Sequence, residues 1–162
     1  LGDVYKRQPT VLGEGCVIFR RSTWGNFLKR LYEKFSSAAY IVMYQAGMGV
    51  AASHLSAEEL EELYSIDPWM RIRIFIDFSQ ALGWGRYELI EIDGENLFMR
   101  MRMYDHFECE PFRRESSEPK AYFVRGYLQA TLEKMFDKEF VVDEVRCIAM
   151  GDPYCEIVAK AR

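Results

Sequence analysis

Residues 87–104 read YELIEIDGENLFMRMRMY, and this stretch decides the fold class. Asp93-Gly94 is a strong signal for a tight hairpin turn between two extended runs. In the second run Leu97, Met99, Met101 and Met103 share one face, while Phe98, Arg100, Arg102 and Tyr104 share the other. An apolar face backed by a polar one is the mark of a half-buried antiparallel strand. Strands are therefore expected over 87–92 and 97–109. The chain closes on FVVDEVRCIAMGDPYCEIVA, residues 140–159. Its two apolar arms, 140–150 and 154–159, flank the turn Gly151-Asp152-Pro153 and predict a second, C-terminal β-hairpin.

Outside the hairpins the pattern is mostly helical. Trp24, Phe27, Leu28, Leu31, Tyr32 and Phe35 recur at helical spacing, opposite Lys29, Arg30, Glu33 and Lys34. The run from Ala39 to Tyr44 is rich in β-branched and aromatic residues and reads as a buried strand. Ser56 and Glu59 make a capping box for a short acidic helix over 57–64. Asp67-Pro68 caps another helix that Gly83 ends, although residues 71–78 alternate as a strand does. A last helix starts at Ser117-Glu118-Pro119, carries Phe123, Tyr127, Ala130 and Met135, and ends near Asp137. The sum is an α+β fold: an antiparallel sheet with helices packed on it and two β-hairpins, one of them C-terminal.

With 162 residues and no repeat or linker, the chain reads as one domain over 9–162. Residues 1–8 lack an initial Met, resemble translated sequencing-adapter sequence and are set aside as non-native. A net charge of −4 with no basic stripe argues against direct nucleic-acid binding. No apolar run reaches the ~18 residues a membrane span needs, and no signal peptide precedes the fold. A cytoplasmic protein is the expectation, its four cysteines serving as thiols or metal ligands. GxSxG and HExxH patterns, a nucleotide-binding glycine loop and a flavin fingerprint are all missing from the sequence. Binding, rather than catalysis, is the expected activity.

Two features carry the candidate chemistry. On the terminal hairpin, placing Ala149 opposite Pro153 sets Cys147 opposite Cys155. Opposed Cβ atoms lie about 4.5–5.5 Å apart, a separation that suits two thiolates on one zinc as well as two free buried thiols. Glu144 stands three residues before Cys147, so on a regular strand it faces away; its joining the thiols requires a bulge. The second feature is the wealth of aromatic residues, 15%, and eight methionines. These fill a core or line an apolar cavity. Met101, Phe123 and Tyr127 are candidate cavity walls. His54, after the small residues 47–53, and Trp84, between two glycines, are candidate polar handles.

The segments Gly126-Tyr-Leu-Gln-Ala130 and 141–158 resemble the C-terminal signature of the 4-vinyl-reductase (V4R) domain family. Leu82-Gly-Trp-Gly85 resembles its central motif, and Arg20-Arg-Ser-Thr-Trp24 is similar to the start of archaeal members. The resemblance implies an α+β fold shared with small-molecule sensor domains and with TRAPP-type vesicle-tethering subunits. Bacterial members include sensory domains that recognise phenols and other aromatic hydrocarbons. It implies a homodimer binding a small hydrophobic or aromatic ligand. The alternatives are a tethering module holding a permanent lipid, or an accessory factor or reductase for a tetrapyrrole vinyl group. In the aromatic-sensing members a Cys at the start of the helix, then Glu, Cys and Cys, bind structural zinc. Three of these positions match Glu144, Cys147 and Cys155. The fourth falls on Ala121, which leaves Cys109 as the thiol that can take its place in space.

Overall fold

The computed structural model describes residues 9–11, 14–53 and 65–162. The expected helix over 57–64, His54 and the set-aside residues 1–8 lie outside the described residues. Two short strands, β1 (Thr10–Val11) and β2 (Glu14–Gly15), pair ahead of the first helix. Helix α1 (Arg21–Phe35) buries Gly25 and Leu28 and leaves Phe27 and Phe35 exposed. It stops at Ser36, whose backbone turns left-handed while its N–H still reaches the Tyr32 carbonyl at 2.9 Å.

The next element corrects the sequence reading. Residues 39–44 are not a strand but the first half of helix α2 (Ser37–Ser53). Ala39, Met43 and Gly47 are buried at a spacing of four, whereas Ile41 and Val42 point outward, 67% and 55% exposed. The buried stripe is narrow, and two of its three residues are small. The β-branched pair that raised the strand expectation lies on the opposite side. Packing against a neighbouring helix thus overrides local propensity.

Helix α3 (Pro68–Ala81) forms as its caps predict. The Asp67 carboxylate accepts the Met70 N–H at 3.0 Å, Pro68 takes the first position, and Gly83 at φ +82° ends it. Ile72 and Ile76 face inward while Ile74 is 42% exposed, so the apparent alternation is the inner and outer sides of a helix.

Strands β3 (Arg86–Asp93) and β4 (Phe98–Tyr104) pair antiparallel around the expected turn, where Asp93 accepts the N–H groups of Glu95 and Asn96. Met99, Met101 and Met103 are buried, as the alternation required. The strand does not continue to Cys109, however. Asp105, at φ +50°, turns the chain, and residues 106–109 fold beneath the start of the next helix. That helix, α4 (Tyr122–Phe136), starts later than Pro119 and closes on a left-handed Asp137. Strands β5 (Phe140–Arg146) and β6 (Cys155–Ala161) form the terminal hairpin.

The sheet order is β3-β4-β6-β5, antiparallel throughout. Helix α4 packs on the face carrying the methionines, Val142 and Ile157, and α2 packs against α4. On β6 the Glu156 carboxylate is 4% exposed, clamped by Arg100 and Arg102 of β4 at 3.0 Å each. Among the described residues no helix is long and apolar enough to cross a membrane.

Candidate metal centre and ligand cavity

The C-terminal hairpin has the register that the thiols needed. Arg146 opposes Glu156, while Glu144 opposes Ile157, so one residue is bulged out between Glu144 and Arg146. That bulge turns Glu144 to the side of the cysteines. Cys147 and Cys155 follow directly at the mouth of the hairpin, their sulfurs 3.9 Å apart. Cys109 arrives from the turn after β4 and places its Sγ 3.6 Å from Glu144 Oε1. One donor atom each from Cys109, Glu144, Cys147 and Cys155 lies within 4.8 Å of all the others.

The donor set fits zinc. Two sulfurs bound at ~2.3 Å to a tetrahedral ion stand about 3.8 Å apart, close to the spacing found. All three cysteines are buried, and the chemistry of the group asks for a cation. Burial pushes the Cys109 thiol well up. Cys109 pulls Cys155 down, but Cys147 and burial together push it up. Cys147 is drawn the other way because Cys109 and Cys155 both offer it hydrogen bonds. Burial, with Cys147 beside it, pushes the Glu144 carboxyl up to about 9. Four acidic groups in a space that desolvates them keep roughly one negative charge and hold about three protons.

Those directions give a first expected result. At pH 7, calorimetry of zinc binding in buffers of different ionisation enthalpy should show about three protons released per ion. Release of fewer than two protons would mean that the cluster is not the site of binding. The metal-free protein adds a sign. Cys109 and Cys155 are both raised above the ordinary 9.0, so the stability they contribute is whole below pH 9 and is lost as pH rises past it. Glu144 and Cys147 shift in opposite directions, so their contributions to the pH slope oppose each other.

Helix α4 ties this cluster to a cavity. Ala121, just ahead of the helix, donates its N–H to Glu144 Oε2 at 2.8 Å. The next free amides, of Phe123 and Val124, donate to the Glu108 carboxylate at 2.8 and 3.2 Å. Glu108 is 0% exposed. Burial pushes its carboxyl up, while His106 and the two amides pull it back. It caps α4 from a distance, which is why the local Ser117 signal misplaced the start of the helix.

Further along, α4 forms one wall of a narrow cavity of about 20 Å³. Ile72, Phe75 and Ile76 of α3 form the second wall, and Tyr87 and Met101 of the sheet the third. Of the sequence candidates, Trp84, Met101 and Tyr127 line this space. Phe123 stands behind it, edge-on to Trp84 at 5.6 Å. Trp84 is held between Gly83 and Gly85; a side chain at Gly85, φ +152°, would meet the Tyr104 carbonyl at 2.8 Å. The α3 residues and Tyr87 were not singled out in the sequence, because their shared cavity side is set by the packing of α3, α4 and the sheet.

Comparison with known proteins bears on the fold. Residues 99–161 match the V4R domain family model. The uncharacterized protein MJ0855 of Methanocaldococcus jannaschii is 41% identical over 58 residues, which are 35% of this chain and a quarter (25%) of that protein's length. The phenol-responsive sensory domain of the transcription activator PoxR, solved with phenol, is similar at TM-score 0.80 and 15% identity, over 99% of this chain and 87% of that one. A vinyl-4-reductase family protein from M. jannaschii gives 0.51 at 18% identity, over 91% and 84%. Trafficking protein particle complex subunit 3 from Naegleria fowleri, covalently bound to palmitic acid, gives 0.57 at 15%, over 88% and 92%. At these identities the structures share a fold. The match to the V4R domain model runs from β4 through β6.

Proposed function

We propose that this protein is a sensor or carrier module that binds a small aromatic or hydrophobic ligand between α3, α4 and the sheet. Zinc, held by Cys109, Glu144, Cys147 and Cys155, stiffens the neighbouring hairpin. The observation that carries the reading is the sharing of α4. Its first amides rest on Glu108 and, through Ala121, on Glu144, and its next two turns line the apolar cavity. When bound, zinc supplies a structural cross-link between β5, β6 and the turn after β4. The same fold in PoxR's phenol-responsive domain supports the choice of ligand class.

At about 20 Å³, the cavity has room for roughly one water. An aromatic ring therefore enters by parting α3 from α4, and its affinity is reduced by the population of the open form. Entry of that kind suits a sensor, since the ligand then has a displacement to report. We take the working unit to be a cytoplasmic homodimer.

Native mass spectrometry of residues 9–162, repeated under denaturing conditions, tests the reading. The expected result is a dimer with one zinc per chain that adds phenol or toluene saturably. A metal-free monomer that takes up neither compound would overturn it. A tightly retained acyl mass would favour the tethering alternative, in keeping with the palmitate-bound fold relative.

A further inference from the structure

His106 links the cavity wall to the cap of α4, and the proposed function gives it no task. It is 0% exposed. Its Nδ1 lies 3.3 Å from the Tyr87 hydroxyl and 3.3 Å from the Trp84 carbonyl oxygen. Its Nε2 makes no hydrogen bond among the described residues and faces Glu108 Oε2 at 3.8 Å. A carbonyl oxygen can only accept, so in the tautomer that bonds Trp84 it is Nδ1 that carries the proton. The Tyr87 oxygen then also faces an N–H, and the Tyr87 proton is directed elsewhere. Tyr87 is 7% exposed and lines the cavity.

Two other hydroxyl protons in the wall are committed. Ser79 donates to the Phe75 carbonyl at 2.9 Å, and Thr131 to the Tyr127 carbonyl at 2.8 Å. Each bonds back along its own helix. Tyr87 differs in that its oxygen is engaged from behind by an imidazole, which fixes the phenol and strengthens it as a donor. A buried hydroxyl held in this way rewards a ligand that supplies an acceptor and penalises one that does not.

We propose that Tyr87, positioned by His106, gives the cavity its hydrogen bond, donating its hydroxyl proton to an oxygen on the ring of an aromatic ligand. This rests on the cavity reading above and deepens it from apolar ligands in general to rings that bear an oxygen. His106 is a positioning residue and Tyr87 the contact.

Phenol and toluene differ by one hydroxyl in place of a methyl, so their affinity ratio isolates the contact. Titrations following tryptophan fluorescence should show the wild-type chain preferring phenol at least tenfold. Tyr87→Phe should bring the ratio to about one while toluene affinity stays within twofold, which also shows that the variant is folded. His106→Phe should narrow the ratio without abolishing toluene binding. A Tyr87→Phe chain that keeps the tenfold preference would overturn the Tyr87 contact and leave the cavity reading standing. A wild-type chain that binds neither compound would overturn both.

Discussion

A Cys109→Ala chain is expected to bind zinc about a hundredfold more weakly than the wild type, and adding Ala121→Cys is expected to restore most of the affinity. Structural four-ligand zinc sites are worth about 10–16 kcal/mol, so one thiolate in four carries roughly 3 kcal/mol, and 1.4 kcal/mol is tenfold. The restoring position follows from geometry. Cys109 Sγ stands 3.6 Å from one oxygen of Glu144, and the Ala121 N–H stands 2.8 Å from the other. Both residues are buried against the same carboxylate, one from the turn after β4 and one from the start of α4. A thiol can therefore complete the set from either segment. Competition against a chromophoric chelator at pH 7 measures all three chains. Undiminished affinity in Cys109→Ala would remove Cys109 from the ligand set. Loss without restoration would confine the site to the geometry that the Cys109 turn provides.

What the sequence disclosed depended on how local the cause was. The β3–β4 turn is written in Asp93-Gly94, and the buried methionine face in strict alternation. The terminal hairpin was legible, although its first arm stops at Arg146 and residues 148–150 wind into a 3-10 turn; the requirement that Glu144 reach the thiols already implied the irregularity now found between Glu144 and Arg146. Caps served equally well for α3, where Asp67-Pro68 outweighed the misleading alternation of 71–78.

The misses share a different origin. Ile41 and Val42 gave residues 39–44 the look of a strand, yet the decisive information was the stripe of Ala39, Met43 and Gly47 facing a helix some eighty residues away. Glu108 carried no local signal because its partners, the amides of Phe123 and Val124, follow it by 15 and 16 residues. His106 had no pattern to mark it. Its role comes from Asp105, whose left-handed backbone folds residues 106–109 inward. Each of these features is fixed by contact across the fold, and no window of neighbouring residues contains both halves.

Gly126→Ala is expected to lower stability by at least about 3 kcal/mol, against a helix-propensity gain of ~1 kcal/mol for the same change. Helices α2 and α4 meet backbone to backbone. A Cβ on Gly126 would be driven into the Tyr44 carbonyl, with its carbon at 2.9 Å and the Tyr44 Cα at 3.2 Å. A Cβ on Gly47 would strike the Phe123 carbonyl and come within 2.8 Å of the Tyr127 nitrogen. None of these atoms is the end of a flexible side chain, so α2 must move away from α4. That movement breaks the bonds that stitch the pair, from Tyr44 to Gln129 and from Lys120 to Tyr40. Gly49 lies on the same helix with open space around it, and Gly49→Ala should be neutral or stabilising by up to ~1 kcal/mol. Urea unfolding of the three chains at fixed zinc makes the comparison. Equal midpoints for Gly126→Ala and Gly49→Ala would refute the close crossing. Because α4 carries one wall of the cavity and its leading residue holds Glu144, Gly126→Ala should also weaken zinc and phenol binding together. Gly49→Ala should leave both unchanged.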